Sequence, residues 1–294
     1  MIKLQGSGTA LITPFNKKGD VDYETFKKLV KRQIKNGIDF LVPLGTTGEA
    51  ACLSNDEKVK LTKIAVKEAK RKVPVFVGVG SNCTTGTINN IKLLERTGVK
   101  GLMVVTPFYN KPTQNGLYNH FKKVAKSTKK PIILYNVPSR TGVNMAALTC
   151  LKLAKIKNIV AVKEASSNFA QISKIIKGAP KGFVVISGND DETLPLMAAG
   201  AKGVISVASN IAPKKVGDLT KALLKNNFVK ARKLHHELAD LFTNCFIETN
   251  PIPVKAGMYK LKLIKNILRE PLYKATNKTE NIMAKNVKKL GVTS

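Results

Sequence analysis

The chain has 294 residues, 43% of them hydrophobic, which suffices for one large core, and a single α/β barrel commonly uses about 250 residues. A formal net charge of +31 first suggests nucleic acid or acidic lipid as a partner. Only six of the fifty basic residues are arginine, the side chain favoured for base and phosphate forks, and the lysines are dispersed over polar faces such as Lys27, Lys28, Lys31 and Lys35, so we expect no specific nucleic-acid role, leaving only incidental affinity for polyanions at low salt.

Taken in order, short apolar runs alternate with helix-length amphipathic segments. The first six residues, Met1-Ile2-Lys3-Leu4-Gln5-Gly6, lead straight into a strand-like stretch and do not resemble a signal peptide; no apolar run approaches the roughly 18 to 20 residues that span a bilayer. A cytoplasmic protein without a membrane partner is expected. Strand candidates lie at 8–13, 40–44, 75–78, 101–106, 131–136, 159–164, 183–187 and 203–206, and helical patterns at 23–36, 55–71, 85–97, 116–128, 145–154, 169–177 and 192–199. Ser54 or Asn55 offers a helix cap, and Gly37, Gly98 and Gly200 offer helix stops. Eight strands alternating with helices predict a closed parallel (β/α)8 TIM barrel, with an open doubly wound sheet as the alternative; no Gly-x-Gly-x-x-Gly follows the first strand, which counts against a dinucleotide-binding version. After Ser206 the strand signal stops. We therefore expect a catalytic barrel over 1–224 and a C-terminal helical extension over 225–294.

Cys52, Cys83, Cys150 and Cys245 are far apart and form no Cys-x-x-Cys pair, and His120, His235 and His236 lack ligand spacing. Neither a metal nor a disulfide framework is expected.

If the barrel is right, residues just past each strand converge on one mouth. Ile159-Val160-Ala161-Val162 runs into Lys163-Glu164, as a strand covered on both faces would. A lysine at such an end can be a nucleophile, because burial disfavours the ammonium and releases an amine that attacks carbonyls; it can equally mark the strand's end and snorkel to water. Gly45-Thr46-Thr47-Gly48-Glu49 can bind a carboxylate through N–H groups and hydroxyls, or be an ordinary glycine turn. Tyr109, in Thr106-Pro107-Phe108-Tyr109-Asn110, and Tyr135 can relay protons or simply pack. Arg140, in a loop bounded by Pro138 within a lysine-rich chain, suggests a bidentate carboxylate partner. Gly188 and Ile205 can offer backbone groups to a small ligand or serve close strand packing. An amine, two phenols, hydroxyls and a guanidinium suit amine-catalysed chemistry on a 2-oxo acid.

On these motifs, together with Tyr135-Asn136-Val137-Pro138, Val162-Lys163-Glu164, Gly203-Val204-Ile205-Ser206-Val207 and Asn250-Pro251-Ile252-Pro253-Val254-Lys255, the whole chain resembles the dihydrodipicolinate synthase family of pyruvate-dependent class I aldolases. The resemblance implies a Schiff base between Lys163 and pyruvate, with no other cofactor, and attack of the derived enamine on L-aspartate 4-semialdehyde. It implies a proton relay of Tyr135, Thr47 and Tyr109, the last reaching a neighbouring subunit's site in a homo-oligomer, usually a homotetramer built as a dimer of dimers. Thr46, Thr47 and Ile205 would hold pyruvate and Arg140 the semialdehyde carboxylate. Sialic acid lyases and sugar-acid aldolases share the lysine and the first tyrosine, but Arg140 favours the synthase, since those relatives bind polyhydroxylated chains there. A basic barrel without catalysis that binds nucleic acid or a protein is the alternative of another class. Many synthases are inhibited by lysine at a second site; Asn82 matches that site, whereas Gly86, Phe108, Asn55 and Lys58 depart from it, and weak or absent feedback is expected.

Overall fold

The computed structural model describes residues 4–70 and 72–293. Eight parallel strands, β1 (Gly6–Ala10), β2 (Phe40–Val42), β3 (Phe76–Gly78), β4 (Gly101–Val105), β5 (Ile132–Asn136), β6 (Ile159–Glu164), β7 (Val184–Ser187) and β8 (Gly203–Ser206), form one ladder that runs from β2 through β1 and β8 down to β3. The ring closes between β2 and β3 through the Leu41–Val75 bridge, where Leu41 N donates to Pro74 O at 3.0 Å. The result is the expected (β/α)8 barrel. Its first strand sits earlier than the apolar run suggested: Leu11 N still donates to Val42 O at 3.1 Å, but Ile12 N turns to Asn210 Oδ1 of the turn after β8 at 3.2 Å.

The helices are α1 (Tyr23–Lys35), α2 (Asn55–Ala69), α3 (Thr84–Leu94), α4 (Gln114–Lys126), a short α5 (Pro138–Thr141), α6 (Ala147–Leu153), α7 (Phe169–Gly178), α8 (Thr193–Ala198), α9 (Pro213–Leu224), α10 (Phe228–Asn244), α11 (Ile252–Lys260) and α12 (Asn277–Lys289). Local chemistry sets their ends. Ser54, not Asn55, caps α2 in a reciprocal box with Glu57, whose carboxylate accepts from Ser54 N at 2.8 Å. Gly98 and Gly200 stop their helices at φ +91° and +117°, a region costly to side chains with a Cβ. α5 escaped the periodicity because it is a single turn; Pro138 begins it, where a missing N–H is harmless.

Two apolar layers follow from the pleat. Phe40, Phe76, Met103, Ile133, Ala161, Ile186 and Ile205 fill the barrel interior, while Leu41, Val77, Leu102, Val104, Leu134 and Val162 face the helices. Inside, Phe40 and Phe76 meet edge to face at 6.0 Å. They fit because β1 and β4 carry glycines opposite them: a Cβ on Gly8 would lie 2.1 Å from the Phe40 ring, and one on Gly101 2.6 Å from the Phe76 ring. Past the barrel, α10 packs on α9 and α12 on α11, and the segment between α10 and α11 turns back over the mouth.

Candidate active site

β5 and β6 place the central pair. Register aligns Tyr135 with Lys163 and Asn136 with Glu164, after a slip at Ile132/Ile133. Alternation then sends Tyr135 and Lys163 inward and their neighbours outward. Lys163 is 5% exposed, and its Nζ lies 4.1 Å from the centre of the Tyr135 ring. On the outer face Asn136 Nδ2 donates to Glu164 Oε1 at 2.7 Å and Ser166 Oγ to Glu164 Oε2 at 2.6 Å. Burial pushes the Glu164 carboxyl above the usual carboxylate range, and these hydrogen bonds oppose it. The strand end that carries Lys163 is thus clamped from behind.

Above this pair opens a cavity of about 330 Å³ lined by Thr46, Thr47, Tyr135, Arg140, Lys163 and Gly188, among others. Thr46–Gly48 is a single 3-10 turn following Leu44, whose φ is +59°. Thr47 is buried, and the turn is pinned where Thr13 Oγ1 donates to Gly48 O at 2.7 Å. Arg140, carried by α5, donates through Nη2 to Asn250 O at 3.1 Å. Gly188 lies so close to β6 that a Cβ would meet Ala165 Cβ at 2.6 Å and Glu164 O at 2.9 Å. Behind it Asp190, fully buried, accepts from Val207 N at 2.9 Å and Ala208 N at 3.0 Å; burial holds its carboxyl above the usual range against those bonds. This fixes the turn after β8.

The fold therefore brings Thr46, Thr47, Tyr135, Arg140, Lys163 and Gly188 to one cavity. Two other expected residues stand apart. Ile205 is fully buried in the interior layer, and Val207 lines the cavity from that strand end. Tyr109 is 87% exposed at φ +72°, outside the cavity of its own chain. Sequence reasoning gave no role to Met103, Phe246, Glu248 or Asn250, which also line the cavity. The last three come from the extension; the Asn250-Pro251-Ile252-Pro253-Val254-Lys255 motif signalled Asn250, and nothing in the sequence signalled Phe246 or Glu248. Among the cavity-lining residues Lys163 and Arg140 are the basic side chains and Glu248 the sole carboxylate, so the site suits an anionic or zwitterionic ligand.

Among the described residues no group of three or more His, Cys, Asp or Glu side chains could hold a metal ion, and no helix is long and apolar enough to cross a membrane.

A profile of the Dihydrodipicolinate synthetase family matches residues 3–290. The 4-hydroxy-tetrahydrodipicolinate synthase of Fervidobacterium nodosum is 46% identical over 290 residues, 98% of this chain and 99% of the relative. Among solved structures, dihydrodipicolinate synthase from Aquifex aeolicus aligns with a TM-score of 0.95 at 45% identity over 98% of this chain and 99% of that one. The Thermotoga maritima enzyme of the same name aligns with a TM-score of 0.96 at 43% identity, covering 98% of each chain.

Proposed function

The chain belongs to the dihydrodipicolinate synthetase family, and on that premise we propose that it condenses pyruvate with L-aspartate 4-semialdehyde through a Schiff base on Lys163, in lysine and diaminopimelate biosynthesis. The observation that carries the reading is the inward pairing of Lys163 with Tyr135 at the floor of a cavity that also holds Thr47 and Arg140.

In this mechanism the neutral Lys163 amine attacks the ketone carbon of pyruvate and water leaves, giving the Schiff base. Loss of a methyl proton yields an enamine, whose carbon attacks the aldehyde of the second substrate. The amino group of the incoming substrate then displaces Lys163 as the ring closes, restoring the free enzyme. Each step moves a proton, and in this reading Tyr135 and Thr47, which line the same cavity, carry these transfers. Thr46, Thr47 and the strand ends bearing Gly188 and Ile205 surround the pyruvate position, and Arg140 offers a fork to the semialdehyde carboxylate. No group beyond the covalent substrate is needed.

Tyr109 joins the relay from a neighbouring subunit in this reading. Its exposure, beside the half-exposed Phe108, supports an assembly; Leu148 at 74% and Phe169 at 52% exposure add apolar surface elsewhere, as a homotetramer with two kinds of contact would require. The division of labour is then a barrel, 1–224, that carries the chemistry and an extension, 225–294, that covers its mouth. Four free thiols suit a reducing compartment such as the cytoplasm.

Borohydride reduction with pyruvate, followed by peptide mass spectrometry, is expected to trap an adduct on Lys163, with aspartate semialdehyde as the acceptor consumed. Consumption of N-acetylmannosamine instead would move the assignment to a sialic acid lyase. No adduct on folded protein would remove Lys163 from the mechanism.

A further inference from the structure

Residues of the extension enter the mouth far from the strands in sequence, and one of them touches both ends of the recognition set. Asn250 Nδ2 donates to Thr47 Oγ1 at 3.0 Å, while Asn250 O accepts from Arg140 Nη2 at 3.1 Å. The residue is 4% exposed and lines the cavity. Its other side-chain polar atom, Oδ1, is buried without a hydrogen-bond partner, so the contact with Thr47 is what orients the amide.

That contact decides where the Thr47 proton goes. A threonine hydroxyl has one proton and two lone pairs, and its rotor turns to suit its partners. When Asn250 donates to the oxygen, the Thr47 proton is directed away from the amide, and the hydroxyl is left free to donate within the cavity it shares with Tyr135. A relay through Thr47 requires that orientation at every turnover.

The donor itself is rigidly mounted. Five residues on, Lys255 Nζ reaches Glu49 Oε1 at 2.6 Å and Thr13 O at 2.9 Å. The extension therefore holds the Thr46–Gly48 turn at Thr47 and again at Glu49, just past its end.

Building on the functional reading above, we propose that Asn250 is a positioning residue for the condensation: its amide sets the direction of the Thr47 hydroxyl, and its backbone carbonyl holds the Arg140 fork. The two roles separate cleanly, because a side-chain substitution removes the first and leaves the second. Loss of the amide should impair proton transfer and spare recognition of the semialdehyde carboxylate.

The test compares Asn250→Ala and Asn250→Leu with the parent enzyme in kcat, in KM for each substrate and in the pH profile of kcat. Leucine keeps the branched shape and removes the unpaired Oδ1, so it keeps the test open if the alanine variant fails to fold. The expected result is a kcat about 10- to 100-fold lower, the range of a misdirected acid–base partner. A shifted pH profile and a semialdehyde KM within about threefold of the parent should accompany it. A kcat unchanged within about threefold would overturn the proposal. So would a semialdehyde KM that rises in step with the loss of kcat, since that is the signature of a displaced segment. Borohydride trapping of the parent enzyme is run alongside: a missing Lys163 adduct there fails the functional reading itself, whereas a normal adduct with unaffected variants fails this proposal alone.

Discussion

Lys163 and Tyr135 are register partners on adjacent strands, and the Lys163 nitrogen sits 4.1 Å from the centre of the Tyr135 ring. The ring packs against the amine, and in the proposed mechanism its hydroxyl serves protons, so the two roles can be separated. Tyr135→Phe keeps the packing and removes the hydroxyl. Its kcat is expected to fall about 10²- to 10⁴-fold with the fold intact, the usual worth of a positioned acid or base. A loss smaller than about tenfold in steady-state assays would show that another group carries the protons.

Arg140 is bonded to the protein by a single nitrogen, to Asn250 O. Arg140→Ala is expected to raise the semialdehyde KM about 10- to 100-fold, as loss of a charged hydrogen-bonding pair does, with little change for pyruvate. Lysine at this position should recover little, because it lacks the planar fork. Equal effects on the two substrates would sink the assignment.

The barrel was legible because its strands are buried on both faces and read as apolar runs, and so was the position of Lys163 at the end of the sixth strand, though not its inward direction, which an unbroken apolar run does not report. Its pairing with Tyr135 was not, since it depends on a slip between Ile132 and Ile133 that no periodicity reports. Asn250 was less legible still: it meets Thr47 across 203 residues of sequence, and only the closed fold brings them together. Ile205 was expected to offer backbone groups at its strand end, and burial of its side chain in the interior layer leaves that expectation open.

Glu49 and Lys255 form an ion pair with both side chains fully buried, 2.6 Å apart. Burial lowers the Lys255 pKa to about 8, and Glu49 opposes that shift. Removing one charge strands the other, so Lys255→Met should destabilise the protein by about 3–5 kcal/mol in urea unfolding. Adding Glu49→Gln should recover much of this, because the orphan charge is gone while an acceptor for Arg269 N, now 3.0 Å from Glu49 Oε2, remains. A double variant no more stable than the single would contradict this account.

Lysine feedback should be weak. At the position where sensitive relatives are expected to carry a glutamate, a Cβ on Gly86 would lie 2.6 Å from Ser81 Oγ and 3.2 Å from Cys83 Sγ, and the Cys83 thiol caps α3 by accepting from Gly86 N at 3.3 Å. No carboxylate is offered there to an effector ammonium. Excess lysine is expected to change the steady-state rate less than about fivefold, the lower edge of ordinary allosteric coupling. Strong inhibition would require a different effector site.

His120 is expected to make stability fall in mild acid. It is 5% exposed between α3 and α4, with Nδ1 2.9 Å from Thr84 Oγ1 and Nε2 buried without a partner. Burial lowers its pKa from 6.5 to about 4. Between those values the unfolded chain binds the proton and the folded chain does not, so stability rises with pH across this window and is lost as pH falls through it. The full loss attributable to this ring is about 3 kcal/mol. Glu164 and Asp190, whose carboxyls are held high by burial, act in the opposite sense, so the comparison has to be differential. His120→Leu, which keeps an apolar body in the same site, should show a flatter dependence of unfolding free energy on pH between about 6.5 and 4 than the parent. Parallel curves for the two proteins would mean that His120 is protonated in the folded state and that its surroundings open in acid.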